Sequence, residues 1–189
     1  MEVLETELRD VKLIKVDRLT DERGCFAEIY DHDTFRRHGI PEQFVYEGWI
    51  TSRKVGTVRG LHFQSPPHAQ HKLVRVTRGE ILCAVVDIRR GSPGFGRHAT
   101  LRLSAHDPFI VFIPIGFADG FCTLEPDTEV EYKASDRYVP NLSRGINWAD
   151  PALRISWPVA KEKAILSTRD WQQPRLSEIE TQFLWGISV

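Results

Sequence analysis

His62 stands in the run RGLHFQ at residues 59–64, and imidazole is the side chain that most readily exchanges a proton near neutral pH. Leu61 and Phe63 flank it, and side chains alternate between the two faces of an extended strand. If these apolar neighbours pack outward, His62 points inward and can act as a general base. Considered alone, it has a simpler interpretation as a surface or hydrogen-bonded structural histidine.

Three further side chains are of types that suit proton transfer, namely Lys72, Tyr132 and Asp170. Each also has a structural interpretation. Lys72 could end a strand in solvent, and Tyr132 could be a core residue with a satisfied hydroxyl. Asp170, in the run LSTRDW, could simply cap a turn. No rule of spacing brings these residues to His62, so the pattern by itself leaves both interpretations open.

Histidines can also bind a metal, which needs three or four converging ligands. The candidates are His62, His68, His71 and His98, and they include no His-x-His pair. The run PIGFAD ends in Asp119 where a metal-binding barrel has its last histidine. We therefore expect no metal site.

Short extended segments separated by turn signals make up most of the chain. The turn signals are DERG at residues 21–24, RGE at 78–80 and RGSPG at 90–94. Many short strands at this spacing predict an all-β sandwich or barrel. The predicted strands cover residues 13–16, 25–30, 44–52, 55–63, 72–77, 81–88, 98–103, 109–113 and 128–133.

Helical signals are few. Asp33 is expected to cap a short helix that ends at Gly39. The run SEIE has the form of a capping box and predicts a C-terminal helix from Ser177. The length and the absence of a repeat or linker predict a single domain over residues 1–189.

The segment from Ile81 to Ile88 is almost wholly apolar, which is typical of a strand covered on both faces. In a barrel, one face lines the interior and the other needs a separate cover. A second copy of the chain is the simplest cover, so this segment points to a dimer.

The composition is that of a globular protein, with 41% hydrophobic and 27% charged residues. A formal net charge of −1 gives no general attraction to nucleic acid or anionic membranes. The three cysteines, Cys25, Cys83 and Cys122, have no spacing that indicates a disulfide framework. The N-terminal run MEVLETELRD lacks the apolar core of a secretory signal, and no apolar run approaches the roughly 20 residues of a membrane span. These features predict a cytoplasmic protein.

Longer runs, in order, resemble the dTDP-4-dehydrorhamnose 3,5-epimerase family from about residue 21 to about residue 176. They are DERG (21–24), VGTVRGLHFQSPPHAQHKLVRVTRG (55–79), VDIRRGSPGFGRH (86–98), PIGFADGF (114–121), TLEPDTEVEYK (123–133), RGI (144–146), DPAL (150–153) and ILS (165–167). The resemblance implies a cupin-like antiparallel β-barrel (jelly roll) with a few short helices, metal-free and usually a homodimer. It also implies epimerisation of a dTDP-linked 4-keto-6-deoxy sugar at C3 and C5 through an enolate, without a cofactor.

The resemblance further implies roles for individual residues. His62 corresponds to the family's base and Asp170 to the carboxylate paired with it. Lys72 corresponds to the cation beside the enolate oxygen, and Tyr132 to the acid on the opposite face. The residues expected to contact the substrate are Arg23, Glu28, Glu47, Arg59, Asp119, Tyr138 and Arg169.

The chain departs from the family pattern where the family holds the sugar nucleotide. Tyr46, Gly48 and Ile50 stand in place of Gln, Asn and Ser. Asp119 stands in place of a histidine near the phosphates, where an unpaired carboxylate would repel a diphosphate. Further departures are Cys83 for Asp, Ser143 for Glu and Ala149 for Asp.

The proton-transfer set is therefore intact, whereas the binding set is changed. We expect the family chemistry on a changed substrate: another sugar, another nucleotide, or only one of the two centres. One alternative is an ordinary 3,5-epimerase whose departures are compensated. The other is a non-catalytic cupin-type sugar-nucleotide-binding protein, since a fold does not fix a function.

Overall fold

The computed structural model describes residues 1–187, which form short strands and two helices, α1 (His32–Arg37) and α2 (Thr168–Trp171). Neither helix in this part of the chain is long and apolar enough to cross a membrane. The strands are β1 (Glu2–Glu5), β2 (Lys12–Lys15), β3 (Leu19–Asp21), β4 (Gly24–Phe26), β5 (Tyr46–Ser52), β6 (Val58–Gln64), β7 (Lys72–Arg78), β8 (Glu80–Asp87), β9 (His98–Ser104), β10 (Phe109–Ile113), β11 (Phe117–Thr123), β12 (Thr128–Ala134) and β13 (Ser143–Gly145).

The strands build two antiparallel sheets and a separate hairpin. One sheet has the order β1-β2-β10-β7-β12-β5, the other has the order β13-β6-β11-β8-β9, and β3 pairs with β4. Apolar side chains from both sheets share one core, which includes Val74, Val111, Val130, Ile81, Val85 and Phe121. The all-β, cupin-like jelly roll with a few short helices is confirmed.

Strand β8 is covered on both faces, as its apolar sequence predicted. Ile81, Cys83 and Val85 point into the core between the sheets, and Ala84 and Val86 point outward. Leu153, Leu176 and Phe183, all from later parts of the same chain, pack on the outward face. The expectation that a second copy covers this face is therefore wrong, because the chain after the last strand supplies the cover.

Both predicted helices differ from the structure. Asp31, not Asp33, caps α1, because its side chain accepts a hydrogen bond from Thr34 N at 2.8 Å. The helix predicted from Ser177 is only a single 3₁₀ turn, Leu176–Glu178. After it, residues 179, 181 and 183 face the protein and residues 180, 182 and 184 face solvent. This period of two belongs to an extended chain packed on the barrel.

The strands that the sequence did not predict are short or have a mixed composition. Strands β1, β3 and β13 have only three or four residues. The run PIGFAD, which was not among the predicted strands, leads into β11 at the centre of its sheet. Asp119 and Gly120 lower the strand propensity of β11, and pairing with both neighbouring strands overrides it. The strand predicted over residues 25–30 ends at Phe26.

Candidate active site

A cavity of about 210 Å³ opens between the two sheets. Its lining is polar on several sides, although it lies against the apolar core. The charged, hydroxyl and imidazole side chains that line it are Arg59, His62, Lys72, Asp119, Tyr132, Tyr138, Ser143 and Arg169. The fold thus gathers side chains from β6, β7, β11 and β12 and from the chain that follows them.

A bulge lets both Arg59 and His62 face this cavity. His62 pairs with Asp119 and Arg59 with Phe121, so β6 has one extra residue between the two pairs. Gly60 lies in the bulge with a φ of +125°, and a Cβ there would lie 2.5 Å from the Gly120 Cα. Strict alternation would place side chains three residues apart on opposite faces of the strand. The extra residue at the bulge brings both side chains to the same face.

His62 points into the cavity because its neighbours face the other way. Leu61 is fully buried and Phe63 is 6% exposed, and both pack in the apolar cluster behind the sheet. His62 Nε2 lies 2.6 Å from Asp170 Oδ1. The carboxylate comes from the first turn of α2, where Ser167 accepts a hydrogen bond from Asp170 N at 3.1 Å.

The surroundings of Asp170 favour its ionised form. Burial acts to raise the pKa of this carboxyl, but the hydrogen bond and charge of His62, with smaller help from Ser167 and the Gly60 backbone, hold it below 3.8. An ionised carboxylate only accepts hydrogen bonds, so it fixes His62 Nε2 as the protonated nitrogen. Nδ1 is then the nitrogen that can accept a proton.

Lys72 and Asp119 form an ion pair across the cavity. Lys72 Nζ lies 2.5 Å from Asp119 Oδ1, and the two side chains are 14% and 17% exposed. Lys72 begins β7 in one sheet and Asp119 lies on β11 in the other. Because the carboxylate is paired with a cation, the expected repulsion of a diphosphate by Asp119 is largely cancelled.

Tyr132 lies over Gly48, its partner in the pairing of β12 with β5. A Cβ at residue 48 would lie 2.5 Å from Tyr132 Cζ and 2.7 Å from the hydroxyl oxygen. The Tyr46 ring is next to it, with 6.0 Å between the ring centroids. Burial raises the pKa of Tyr132, and Tyr46 and the charge of Asp119 raise it further. The phenol therefore stays protonated at neutral pH and can donate a proton.

Two guanidinium groups at the cavity are bonded to uncharged partners. Arg59 donates to Ser52 Oγ at 3.1 Å and to Thr51 O at 2.8 Å. Arg169 donates to the backbone and side-chain oxygens of Ser143, both at 2.9 Å. Neither arginine forms an ion pair within residues 1–187. Both keep the charge and planar donors that suit a phosphate.

Three of the expected substrate contacts lie elsewhere. Glu47 faces the outer side of β5 and pairs with Lys133 at 2.9 Å. Arg23, at the turn between β3 and β4, is 86% exposed and bonds Asp21. Glu28 is exposed beyond β4. The residues that the structure does bring together are His62, Asp170, Lys72, Tyr132, Arg59, Asp119, Tyr138 and Arg169.

Gln64 is a cavity residue that the sequence interpretation missed. Its amide donates to Arg137 O at 2.9 Å, and its carbonyl accepts from Val139 N at 2.8 Å. These bonds hold the loop that carries Tyr138 at the cavity. The signal was available, because alternation places Gln64 on the same face as His62.

Three of the four histidines considered as metal ligands, His62, His68 and His71, have separate carboxylate partners. His68 Nδ1 lies 2.9 Å from Asp136 Oδ2, and His71 Nδ1 lies 3.7 Å from Glu42 Oε1. Within residues 1–187, no three His, Cys, Asp or Glu side chains are arranged to hold a metal ion.

Known proteins resemble this chain along nearly its whole length. The family model described as dTDP-4-dehydrorhamnose 3,5-epimerase matches residues 5–178. The curated dTDP-4-dehydrorhamnose 3,5-epimerase of Sinorhizobium fredii is 40% identical over 176 residues, which are 93% of this chain and 90% of the relative.

Solved structures resemble the fold as closely. The dTDP-4-dehydrorhamnose 3,5-epimerase of Bacillus anthracis, with TDP and PPi bound, has a TM-score of 0.89 and 40% identity, covering 92% of this chain and 98% of that one. The dTDP-6-deoxy-D-glucose-3,5-epimerase of Legionella pneumophila, in complex with dTDP-4-keto-L-rhamnose, has a TM-score of 0.90 and 36% identity, covering 95% and 94%. With sequence, fold and family model in agreement, the chain belongs to the dTDP-4-dehydrorhamnose 3,5-epimerase family.

Proposed function

We propose that the protein is a cofactor-independent isomerase that epimerises a dTDP-linked 4-keto-6-deoxy sugar at C3 and C5 in deoxysugar biosynthesis. The single observation that carries this proposal is the His62–Asp170 pair at 2.6 Å, at a cavity that also holds Lys72 and Tyr132. A histidine with a buried carboxylate partner is suited to remove a proton next to a ketone. The names of the relatives support the same reaction.

The reaction needs one proton removed and one returned at each carbon. His62 Nδ1 takes a proton from a carbon next to the C4 ketone, and the electron pair of that C–H bond forms the enolate. The Lys72 ammonium stabilises the negative enolate oxygen. The Tyr132 phenol then protonates the same carbon from the opposite face, which inverts the centre. His62 then releases its proton to solvent and Tyr132 takes one up, which returns both residues to their starting protonation states.

Substrate binding follows from the distribution of charge. Arg59 and Arg169 have only uncharged partners within residues 1–187, so they take the diphosphate. Tyr138 lines the same cavity and offers an aromatic face to the nucleotide. This arrangement places the sugar deeper, between His62 and Tyr132.

Deuterium exchange tests the reaction. In deuterated water, we expect NMR to show loss of the C3 and C5 protons of the dTDP-4-keto-6-deoxy sugar when the protein is added. Retention of both protons would overturn the proposal, and dTDP binding without exchange would favour a non-catalytic binding protein. Exchange at one carbon alone would favour a single-centre epimerase. The single-centre epimerase is considered because the Tyr132 ring is held in place, on Gly48 and beside Tyr46.

We further propose a homodimer in which the β3–β4 hairpin of one chain completes the cavity of the other. Arg23 and Glu28, expected to contact the substrate, do not line the cavity of their own chain. Leu19 and Phe26 on the same hairpin are 69% and 65% exposed, which is typical of an interaction surface.

Mixing two inactive variants tests this dimer. Arg23→Ala and His62→Asn remove different halves of a shared site, so co-refolded protein should regain about a quarter of the wild-type activity through mixed dimers with one intact cavity. No recovery above either variant alone, or a monomer in sedimentation, would contradict the proposal.

A cytoplasmic location and a single domain over residues 1–189 are also proposed. Cys25, Cys83 and Cys122 are free thiols, which fits a reducing compartment. Cell fractionation and limited proteolysis check these two statements. Recovery outside the cytoplasm, or a stable fragment that leaves one sheet intact, would contradict them.

A further inference from the structure

The Lys72–Asp119 ion pair has a buried neighbour, Cys83. Cys83 is 3% exposed and lies on the inward face of β8. Burial raises the pKa of its thiol, the charge of Asp119 raises it further, and the charge of Lys72 lowers it. Position 83 is therefore within electrostatic range of both members of the pair.

The strand register explains this closeness. In the pairing of β11 with β8, Phe121 is opposite Cys83, and Asp119 is two residues away on the same face. Side chains in such diagonal positions are near enough for long side chains to interact. A carboxylate can thus approach the Lys72 ammonium from position 119 on β11 or from position 83 on β8.

The ammonium needs such a carboxylate for two reasons. Its side chain is only 14% exposed, and a buried charge without a partner is strongly unfavourable. A lysine ammonium is also a point charge on a flexible stem, so it is directed only by what it contacts. At 2.5 Å, Asp119 supplies both the charge and the direction.

We propose that Asp119 is a positioning residue that holds the Lys72 ammonium where the enolate oxygen forms, and that a carboxylate at position 83 can replace it. This inference rests on the proposed epimerase function. It also distinguishes the charges of the cavity, because Asp119 neutralises Lys72, whereas Arg59 and Arg169 have only uncharged partners among residues 1–187 and remain available to the diphosphate.

Moving the carboxylate tests the inference. In Asp119→Asn, we expect kcat to fall roughly 10- to 100-fold, since small misplacements of a reacting group cost this much. KM should change less than about threefold, because Lys72 acts on the enolate rather than on the bound substrate. Adding Cys83→Asp to Asp119→Asn should restore most of kcat, and the matched uncharged control, Cys83→Asn in the same background, should restore none.

The outcomes separate this inference from the function on which it rests. Absence of deuterium exchange in the wild-type protein overturns the proposed function. Exchange in the wild type with an unchanged kcat in Asp119→Asn overturns only the positioning role. If the double variant Cys83→Asp, Asp119→Asn folds but does not recover kcat, the claim that a carboxylate at position 83 can replace Asp119 is overturned. If that protein does not fold, Asp119→Glu decides: more activity than Asp119→Asn supports positioning by a carboxylate, and equal activity overturns it.

Discussion

The Tyr132 ring occupies the space above Gly48 that a side chain at that residue would fill. A Cβ there would lie 2.5 Å from Tyr132 Cζ, well inside van der Waals contact. Gly48 has ordinary strand geometry, so the need for glycine comes from this neighbour and not from the backbone. The departure from the family pattern at residue 48 therefore sets where the proposed proton donor lies.

Gly48→Ala should displace the Tyr132 ring. We expect a loss of about 1–3 kcal/mol in the free energy of unfolding from overpacking. We also expect at least a roughly tenfold fall in kcat, because the donor moves away from the reacting carbon. Urea unfolding and steady-state kinetics measure the two effects. In a Tyr132→Ala background the stability cost of Gly48→Ala should disappear, and an equal cost in both backgrounds would show that Tyr132 is not its cause.

His62→Asn should remove the base while leaving the binding residues in place. We expect turnover to fall roughly 10²- to 10⁴-fold, the range that general-base catalysis contributes. Binding of dTDP, followed by calorimetry, should remain close to wild type because Arg59 and Arg169 are unchanged. His98→Asn on β9 is the matched control and should keep normal turnover. Normal exchange at C3 and C5 in His62→Asn would refute the role of the base.

The pH dependence of stability should report the Asp170–His62 pair. The pKa of Asp170 is lower in the folded protein than the ordinary 3.8, so its contribution is complete above that value and is lost as pH falls through the folded-state pKa. The difference in unfolding free energy between wild type and Asp170→Asn should be constant above about pH 5 and should become smaller as the pH falls further. Denaturant titrations at several pH values measure it.

A second background isolates the cause of this acid loss. Without the hydrogen bond and charge of His62, only burial and the smaller bonds act on Asp170, and burial raises its pKa. In a His62→Asn background, the difference in unfolding free energy between the proteins with and without Asp170→Asn should therefore stay constant in acid or become larger. If this difference became smaller in acid by the same amount in both backgrounds, His62 would not lower the pKa of Asp170.

Arg169→Ala should weaken nucleotide binding more than catalysis. A charged hydrogen bond is worth about 1.5–3 kcal/mol, so Kd for dTDP should rise roughly 10- to 100-fold. KM should rise with it, while kcat stays near wild type. Arg37→Ala, on the outer end of α1, is the control and should change neither constant. A fall in kcat at unchanged Kd would place Arg169 in the chemistry instead.

Much of the fold could be predicted from the sequence because strands and turns have local signatures. Alternation placed His62 on the face opposite Leu61 and Phe63, as observed, and strand β10 was predicted with its observed ends. The limits of the prediction were the short strands and the ends of helices. A three-residue strand such as β13 exists only because β6 is beside it.

The residue types of the site, the placement of His62 opposite Leu61 and Phe63, and the burial of β8 on both faces all follow from local sequence patterns. Which side chains meet depends on how the whole chain folds. Asp119 pairs with Lys72, Glu47 faces outward, and the chain's own C-terminal part covers β8. These pairings have no local signature, because strand register is set by contacts between distant parts of the chain, and one extra residue at the bulge of β6 changes which face a side chain occupies.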